Sequence, residues 1–235
     1  MKILVIPDVH LKPELFDLAS ARLKEGAAQK AVCLMDIPDD WGQEFNISLY
    51  EKTLDRAVSF SKEHPDTLWC WGNHDTSYLW QMPETGYSKF AQFTVTYKLD
   101  RLKSGLPSLD YIAFVHRVDN VLFVHGGLTE QFVNDHVDKD KRTDADRVIR
   151  AVNKLPPEVM WEDGSPIWHR PQYESAPMYK EGTLTQVVGH TPVREVSKKG
   201  SVISCDVFST DRAGNNIGNC RLTVVDTVTG EFTLL

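Results

Sequence analysis

The stretch KILVIPDVHLKPELFDLASARLKEGAAQKAVCLMD, residues 2 to 36, decides the fold class. It opens with an apolar run that ends at Pro7, as expected of a short strand buried on both faces. Apolar residues then recur at helical spacing as far as Gly26, and a second apolar run, KAVCLM, follows. The order repeats, because residues 48 to 64 have a helical pattern and TLWCWGNHD, residues 67 to 75, is another short strand pattern that ends in polar residues. Strands that alternate with helices predict an α/β sheet.

The second half of the chain is predicted to be rich in strands. Residues 111 to 127, YIAFVHRVDNVLFVHGG, have the pattern of two strands with a turn at Asp119-Asn120, and the C-terminal residues have that of a hairpin with its turn near Gly230. A helical pattern at residues 143 to 155 precedes an irregular Pro- and Trp-rich segment, residues 156 to 177, and such segments are usually functional loops. No linker, repeat or low-complexity tract divides the chain, so we expect a single domain spanning residues 1 to 235.

Composition and charge exclude some classes of partner. The 235 residues are 41% hydrophobic and 25% charged, which is ordinary for a globular protein. A formal net charge of −7 argues against nucleic acid or an anionic membrane as the main partner, since both need clustered Lys and Arg. The four cysteines form no C-x-x-C pair, no signal peptide pattern opens the chain, and no apolar run approaches the ~20 residues of a membrane span. We therefore expect a cytoplasmic protein that holds any anionic substrate locally.

Polar residues follow the apolar runs, at the points where the predicted strands end. They are Asp8 and His10 in PDVH, Asp36 in CLMD, Asn73 and His74 in GNHD, His125 in FVHGG, and His190 in VVGHTP. In a doubly wound sheet the carboxyl ends of the strands form the ligand site, so these side chains should converge. Carboxylates, an amide and imidazoles together suit Mn, Fe, Zn or Ni better than Ca.

The ligand set is too large for one metal ion. With Asp36 bridging, it divides into Asp8, His10 and Asp36 for one ion and Asp36, Asn73, His125 and His190 for the other. Two ions ~3.5–4 Å apart can clamp a phosphate and hold a deprotonated water between them as the nucleophile. Two cations would also balance the acids that crowd the MDIPDD stretch, Asp36, Asp39 and Asp40, whose accumulated like charge is otherwise costly.

The motifs resemble those of a known family. The ordered series D-x-H, D-x-x-D, G-N-H-D, V-H-G-G and G-H-T-P, which spans residues 8 to 192, is similar to that of the calcineurin-like metallophosphoesterases. Within that family it resembles PPP-type serine/threonine phosphoprotein phosphatases and bacterial symmetrical diadenosine tetraphosphatases. Each motif alone is weak, whereas five in order at strand ends are specific. The resemblance implies a four-layer α/β/β/α sandwich, in which two packed mixed sheets are flanked by helices.

Position by position, the resemblance implies roles for the site residues. It supports the ligand division given above, for two transition metal ions, with manganese as the first expectation and iron, zinc or nickel as alternatives. His74 would be the general acid at the leaving-group oxygen, and Asp39 would orient it, because a carboxylate on an imidazole favours the protonated form. Arg170 in IWHRP would hold phosphate oxygens together with Asn73.

The sequence departs from the family pattern at one position. Phosphoprotein phosphatases usually read G-D-x-x-D-R-G, with the arginine on the phosphate, whereas this chain has Met35 before Asp36 and Asp40 in place of the arginine. An anion there should weaken binding of a dianionic monoester. Either another cation substitutes, or the substrate differs.

These observations predict a metal-dependent phosphohydrolase and leave its substrate open. The family default is a PPP-like phosphomonoesterase that acts on phosphoserine or phosphothreonine in a phosphoprotein. The missing arginine favours the alternative, a nucleotide or phosphodiester hydrolase that resembles a diadenosine tetraphosphatase or a cyclic-nucleotide phosphodiesterase. A non-catalytic metal-binding scaffold has only the Asp40 substitution in its favour, and retention of His74 with every ligand position argues against it. The remaining histidines are expected on the surface or in loops; they are His64, His116, His136 and His169.

Overall fold

The computed structural model describes residues 1 to 235 and builds them into two mixed sheets flanked by seven helices, which confirms the predicted fold class. The strands are β1 (Lys2–Ile6), β2 (Lys30–Cys33), β3 (Leu68–Cys70), β4 (Ile112–Ala113), β5 (Val115–Val118), β6 (Val121–Val124), β7 (Thr185–Val188), β8 (Ser197–Lys199), β9 (Val202–Ser204), β10 (Thr223–Asp226) and β11 (Phe232–Leu234). The helices are α1 (Glu14–Lys24), α2 (Ile47–Glu63), α3 (Asn73–Trp80), α4 (Gln92–Gly105), α5 (Glu130–His136), α6 (Ala145–Val152) and α7 (Pro157–Met160).

The first sheet has six strands in the order β11-β10-β1-β2-β3-β4. Strands β1 to β4 are parallel, with Ile3 opposite Lys30 and Val32 opposite Leu68. The C-terminal hairpin of β10 and β11 adds to β1 in antiparallel fashion. The parallel pairing places the carboxyl ends of β1, β2 and β3 at one edge, where the sequence has its first three groups of polar residues.

The second sheet has five strands in the order β5-β6-β7-β9-β8. Strands β5 and β6 form the predicted hairpin, with Val118 opposite Val121, and β6 pairs with β7 in parallel. His125 and His190 therefore leave the same end of two neighbouring strands.

The two sheets pack against each other over a continuous apolar core of 60 buried side chains. A hydrogen bond also joins the sheets: the Cys70 thiol on β3 donates to the carbonyl of Phe123 on β6 at 3.4 Å. Helix α1 packs on β1 and β2, and α6 packs on β5. All four cysteines are free. No helix is both long enough and apolar enough to cross a membrane.

Some local predictions were wrong. The strand pattern at residues 67 to 75 is a strand only over β3, and Asn73 begins helix α3, whose sequence NHDTSYLW lacks a clear apolar periodicity. Of the histidines expected on the surface or in loops, His116 is instead in a strand and buried, at 7% exposed, whereas His169 lies in a loop as expected, although it is also buried. His116 lies between the sheets because β5 turns it inward, with its Nε2 3.0 Å from the carbonyl oxygen of Trp69.

Candidate metal centre

The loops that follow the strands position the candidate ligands with unusual backbone angles. His10, Asp36 and His190 all have positive φ values, of 41°, 42° and 60°. Non-glycine residues rarely adopt this region, and such strain is typical of functional sites that the surrounding structure holds in place. The Asp36 loop is held by Asp75, whose carboxylate accepts hydrogen bonds from the amides of Asp36 and Ile37 at 2.7 and 3.0 Å.

Two glycines allow the carboxylates to approach the neighbouring backbone closely. A Cβ atom added to Gly72 would lie 2.0 Å from Asp36 Oδ1, and one added to Gly189 would lie 1.9 Å from Asp8 Oδ1. Any side chain at these positions would displace a candidate ligand. The glycines of GNHD and VVGHTP are therefore part of the site geometry.

Two groups of candidate ligands share Asp36. His10, Asp36 and His74 form one group, and Asp36, His125 and His190 form the other, with the ligand atoms of each group all within 4.8 Å of one another. In the second group the Nε2 atom of His125 lies 3.1 Å from Asp36 Oδ2 and 3.0 Å from Asn73 Oδ1. A central Asp36 with donors on both sides is the arrangement that a bridging carboxylate requires.

Asp8 is buried against the second of these groups. Its Oδ2 atom accepts a hydrogen bond from the His190 amide at 2.8 Å and is 4.0 Å from His125 Nε2, while its Oδ1 atom is buried without a partner. The structure brings His74 to His10 and Asp36, while the assignment of Asp8 to that pair stays a prediction. All of the predicted ligands nevertheless converge on one region.

The orientation of the imidazoles suits metal binding. The Nδ1 atom of His125 is 2.8 Å from the Leu34 carbonyl and that of His10 is 2.8 Å from the Asp39 carbonyl, which leaves the Nε2 atom of each ring as the lone-pair donor. The Nε2 atom of His190 is buried with no hydrogen-bond partner. A buried orphan nitrogen is costly, and a metal ion would satisfy it.

The buried acids and imidazoles of the site shift one another's pKa values. Burial raises the pKa of Asp8 well above its usual range, and the nearby charge of Asp206 makes the second-largest contribution in the same direction. Burial would raise the pKa of Asp36 as well, but the imidazoles of His125 and His74 hold it below its usual range. Burial would lower the pKa of His125, whereas Asp36 and Asp8 raise it to about 9. Carboxylates and imidazoles thus stabilise one another's charged forms, and metal ions bound by these groups would displace the imidazole protons.

His74 and Asp39 are in direct contact beside the ligand groups. The Nδ1 atom of His74 is 2.9 Å from Asp39 Oδ2, and the Tyr50 hydroxyl donates to Asp39 Oδ1 at 2.8 Å. The Tyr78 hydroxyl donates to the same oxygen. Burial alone would lower the pKa of His74, but Asp36, Glu84 and Asp39 raise it well above its ordinary value. The imidazole is therefore held in one orientation and favours its protonated form.

A cavity of about 340 Å³ is lined by candidate ligands from both groups, including His10, Asp36 and His190. Arg170, from the irregular segment before β7, reaches this cavity and donates from one guanidinium nitrogen to the His190 carbonyl at 2.8 Å and to Thr191 Oγ1 at 3.1 Å. It is the only Lys or Arg among the residues that line the cavity. Trp168 also lines the cavity, with its ring 5.7 Å from that of His190.

Asp40 also lines the cavity, and its charge is paired. The Lys12 ammonium lies 3.1 Å from Asp40 Oδ2, with the two side chains 14% and 18% exposed, and donates to the His10 carbonyl at 3.0 Å. Thr210 donates to the other carboxylate oxygen at 2.6 Å. Lys12 thus neutralises the acid that replaces the family arginine, and nothing in the sequence around Lys12 indicated this long-range pairing.

Glu84 is a second residue that the sequence did not reveal. It lies on the connection between α3 and α4, lines the cavity, and its Oε1 atom accepts a hydrogen bond from Asn73 Nδ2 at 2.6 Å. Burial raises the pKa of Glu84 to about 7, while His74 acts in the opposite direction. The surrounding sequence, QMPETG, matches none of the motifs.

Comparison with known proteins identifies the family. The family model described as calcineurin-like phosphoesterase matches residues 1–210. The chain therefore belongs to the calcineurin-like phosphoesterases, and it is a hydrolase that acts on phosphate esters and uses divalent metal ions. Among curated proteins, none matches this chain in sequence.

Solved structures support the fold. The cold-active protein-tyrosine phosphatase of a psychrophilic Shewanella species is similar with a TM-score of 0.54 and 18% identity, over 100% of this chain and 80% of that one. A 1.1 Å structure of a cold-active protein tyrosine phosphatase gives a TM-score of 0.51 and 19% identity, over 100% of this chain and 78% of that one. At these identities the likeness shows a common fold alone.

Proposed function

We propose that this protein is a dinuclear-metal phosphomonoesterase of the PPP-like type, a single domain whose substrate is a phosphorylated serine or threonine in a protein. The observation that carries the proposal is the convergence of His10, His125 and His190 on Asp36, beside the His74 imidazole, whose Nδ1 atom lies 2.9 Å from Asp39 Oδ2. A metal pair and an acid are the two components that hydrolysis of an unactivated phosphate ester needs.

The proposal assigns ligands to each ion. Asp8, His10 and Asp36 would hold one ion, and Asp36, Asn73, His125 and His190 the other. When bound, the ions would polarise the phosphate oxygens and lower the pKa of a water molecule that serves as the nucleophile. Manganese is the metal that we expect first, with iron, zinc and nickel as alternatives.

The protein's own side chains would perform the remaining steps. Arg170 would hold phosphate oxygens, since its guanidinium lies at the cavity wall. His74 would donate a proton from Nε2 to the leaving-group oxygen, because its Nδ1 atom is engaged by Asp39. Asp39, with two tyrosine hydroxyls on its other oxygen, would keep the ring from rotating.

One observation favours a second candidate, a nucleotide or phosphodiester hydrolase. The position of the second phosphate-binding arginine holds the neutral pair of Asp40 and Lys12, so Arg170 is the only Lys or Arg side chain that lines the cavity. A cavity with fewer cations suits a singly charged diester better than a dianionic monoester.

Hydrolysis assays test both candidates. We expect turnover of p-nitrophenyl phosphate after Mn²⁺ loading and none after EDTA treatment. A panel of phosphoserine and phosphothreonine peptides, diadenosine tetraphosphate and 2′,3′-cyclic nucleotides then separates the substrates. Higher kcat/KM for the phosphopeptides supports the proposal, and a preference for the tetraphosphate or the cyclic nucleotides supports the second candidate.

A further inference from the structure

The side chain of Asn73 has two chemically different ends, and the structure directs them to opposite sides. Its Oδ1 atom faces the ligand groups, 3.0 Å from His125 Nε2, and its Nδ2 atom donates to Glu84 Oε1 at 2.6 Å. Asn73 is 1% exposed, so water does not compete for either end. Glu84 is the only hydrogen-bond partner of this amide nitrogen.

Only one of the two amide orientations can bind a metal. If the amide rotated by half a turn, its NH₂ group would face the ligand groups, and an NH₂ group has no lone pair to offer an ion. The rotated amide would also set its oxygen against the Glu84 carboxylate, so that two acceptors would meet at hydrogen-bond distance. The Glu84 carboxylate therefore selects the metal-binding orientation.

Glu84 itself is held firmly. The connection that carries it, residues 81 to 91, is fixed by the Ser88 amide, which donates to the Tyr78 hydroxyl at 2.8 Å, and by the Ser88 hydroxyl, which donates to the Glu44 carbonyl. The side chain of Glu84 is only 12% exposed. A carboxylate that is fixed in this way can orient a neighbour.

We propose that Glu84 is a positioning residue that holds the Asn73 amide with its oxygen toward the second metal ion, the one assigned to Asp36, Asn73, His125 and His190. This inference rests on the proposed dinuclear function. Glu84 acts on the ligand Asn73 and takes no part in the reaction. It raises the affinity for the metal ion, so saturating metal should compensate for the loss of Glu84. Changes to groups that orient metal ligands typically lower metal affinity by ~10–100-fold.

Three variants test the proposal by calorimetric titration of Mn²⁺ into metal-free protein. Glu84→Leu keeps the approximate volume and removes the acceptor, and we expect it to weaken one of two Mn²⁺ sites by ~10–100-fold. Glu84→Gln retains an acceptor oxygen but also presents an NH₂ group that would accommodate the rotated Asn73 amide, so its Mn²⁺ affinity should lie between those of wild type and Glu84→Leu. Glu231→Ala is the matched control, because that carboxylate pairs with Lys198 and is 73% exposed, away from the cavity.

Activity at two metal concentrations provides the second measurement. Turnover of p-nitrophenyl phosphate by Glu84→Leu should be low at limiting Mn²⁺ and should recover to near the wild-type kcat at saturating Mn²⁺. If Glu84→Leu is poorly folded by thermal unfolding, Glu84→Ser replaces it in both measurements.

Specific results would overturn the inference. Wild-type Mn²⁺ affinity in Glu84→Leu would do so, as would a Glu84→Gln variant that binds Mn²⁺ more weakly than Glu84→Leu, because an acceptor oxygen would then give no advantage. A loss of kcat that saturating Mn²⁺ does not restore would assign Glu84 to His74, from which its carboxylate is 3.7 Å distant, and not to Asn73. If wild type itself binds fewer than two Mn²⁺ ions, the proposed function fails, which is a different outcome from failure of the Glu84 role alone.

Discussion

Replacement of Asp40 by asparagine should improve the binding of phosphate esters in proportion to their charge. In the folded protein the Asp40 carboxylate cancels the charge of Lys12, 3.1 Å away. The amide oxygen of the introduced asparagine could still accept the hydrogen bond from Thr210, so the cavity wall should keep its shape. The lysine would be left uncompensated, and the cavity would gain one positive charge.

Coulomb's law gives the size of this effect. For a phosphate about 10 Å from the lysine, at an effective dielectric constant of about 20, the interaction is roughly 1.7 kcal/mol per unit charge. Screening over one Debye length at 0.1 M salt reduces this to ~0.6 kcal/mol. A dianionic monoester should then bind ~8-fold more tightly and a singly charged diester only ~3-fold more tightly.

The assay compares KM for p-nitrophenyl phosphate with KM for its methyl diester, in Mn²⁺-loaded Asp40→Asn and wild type. The ratio of wild-type KM to Asp40→Asn KM for the dianion should be near the square of that ratio for the monoanion. This holds at any distance between Lys12 and the phosphate, because the Coulomb energy is proportional to the charge of the substrate. Lys12→Met should raise both KM values, and the double variant should return them to near wild type. Equal shifts for the two substrates, or no shift in a folded and metal-loaded variant, would refute the reasoning.

Two other predictions follow from the site and the core. His74→Asn should lower turnover by ~10²–10⁴-fold while the bound metal is retained. The decrease in turnover should be smaller for esters with a p-nitrophenol leaving group than for those with alkyl leaving groups. An equal decrease for all leaving groups would show that His74 is not the general acid. Burial lowers the pKa of His116 to about 4, although its hydrogen bond to the Trp69 carbonyl acts in the opposite direction. Below pH ~6.5 the unfolded state therefore binds a proton on His116 that the folded state does not bind until the pH approaches 4. The free energy of unfolding of the metal-free protein should therefore fall by roughly 2.5 kcal/mol more in wild type than in His116→Gln between pH 7 and pH 4.5, and identical losses in urea titrations would contradict this.

The strands and the candidate ligands could be predicted because both are encoded locally. Each ligand follows an apolar run, and parallel strands bring the run ends together, so Asp8, Asp36 and His125 could be placed without a structure. Helix α3 could not be predicted, because its first turn consists of site residues, Asn73 and His74, and not of an apolar stripe.

The residues that support the site could not be predicted, for a different reason. Lys12 and Asp40 are 28 positions apart in the chain, Glu84 contacts Asn73 from the far end of helix α3, and neither Lys12 nor Glu84 belongs to a motif. His116 was placed wrongly because its strand is buried on both faces at that point, which a short alternating pattern does not reveal. Side chains that contact the site residues and not the substrate can be identified only when the positions of the loops are known.

Metal stoichiometry is the most direct test of the central claim. Elemental analysis of wild-type protein after Mn²⁺ loading and removal of free metal should give two ions per chain, and EDTA should remove both the metal and the hydrolysis of p-nitrophenyl phosphate. Asp36→Asn weakens the one ligand that both groups share, so it should lower the occupancy of both ions, whereas His190→Ala should lower that of one. No more than trace metal in the loaded wild type, or hydrolysis that EDTA leaves intact, would contradict the dinuclear account.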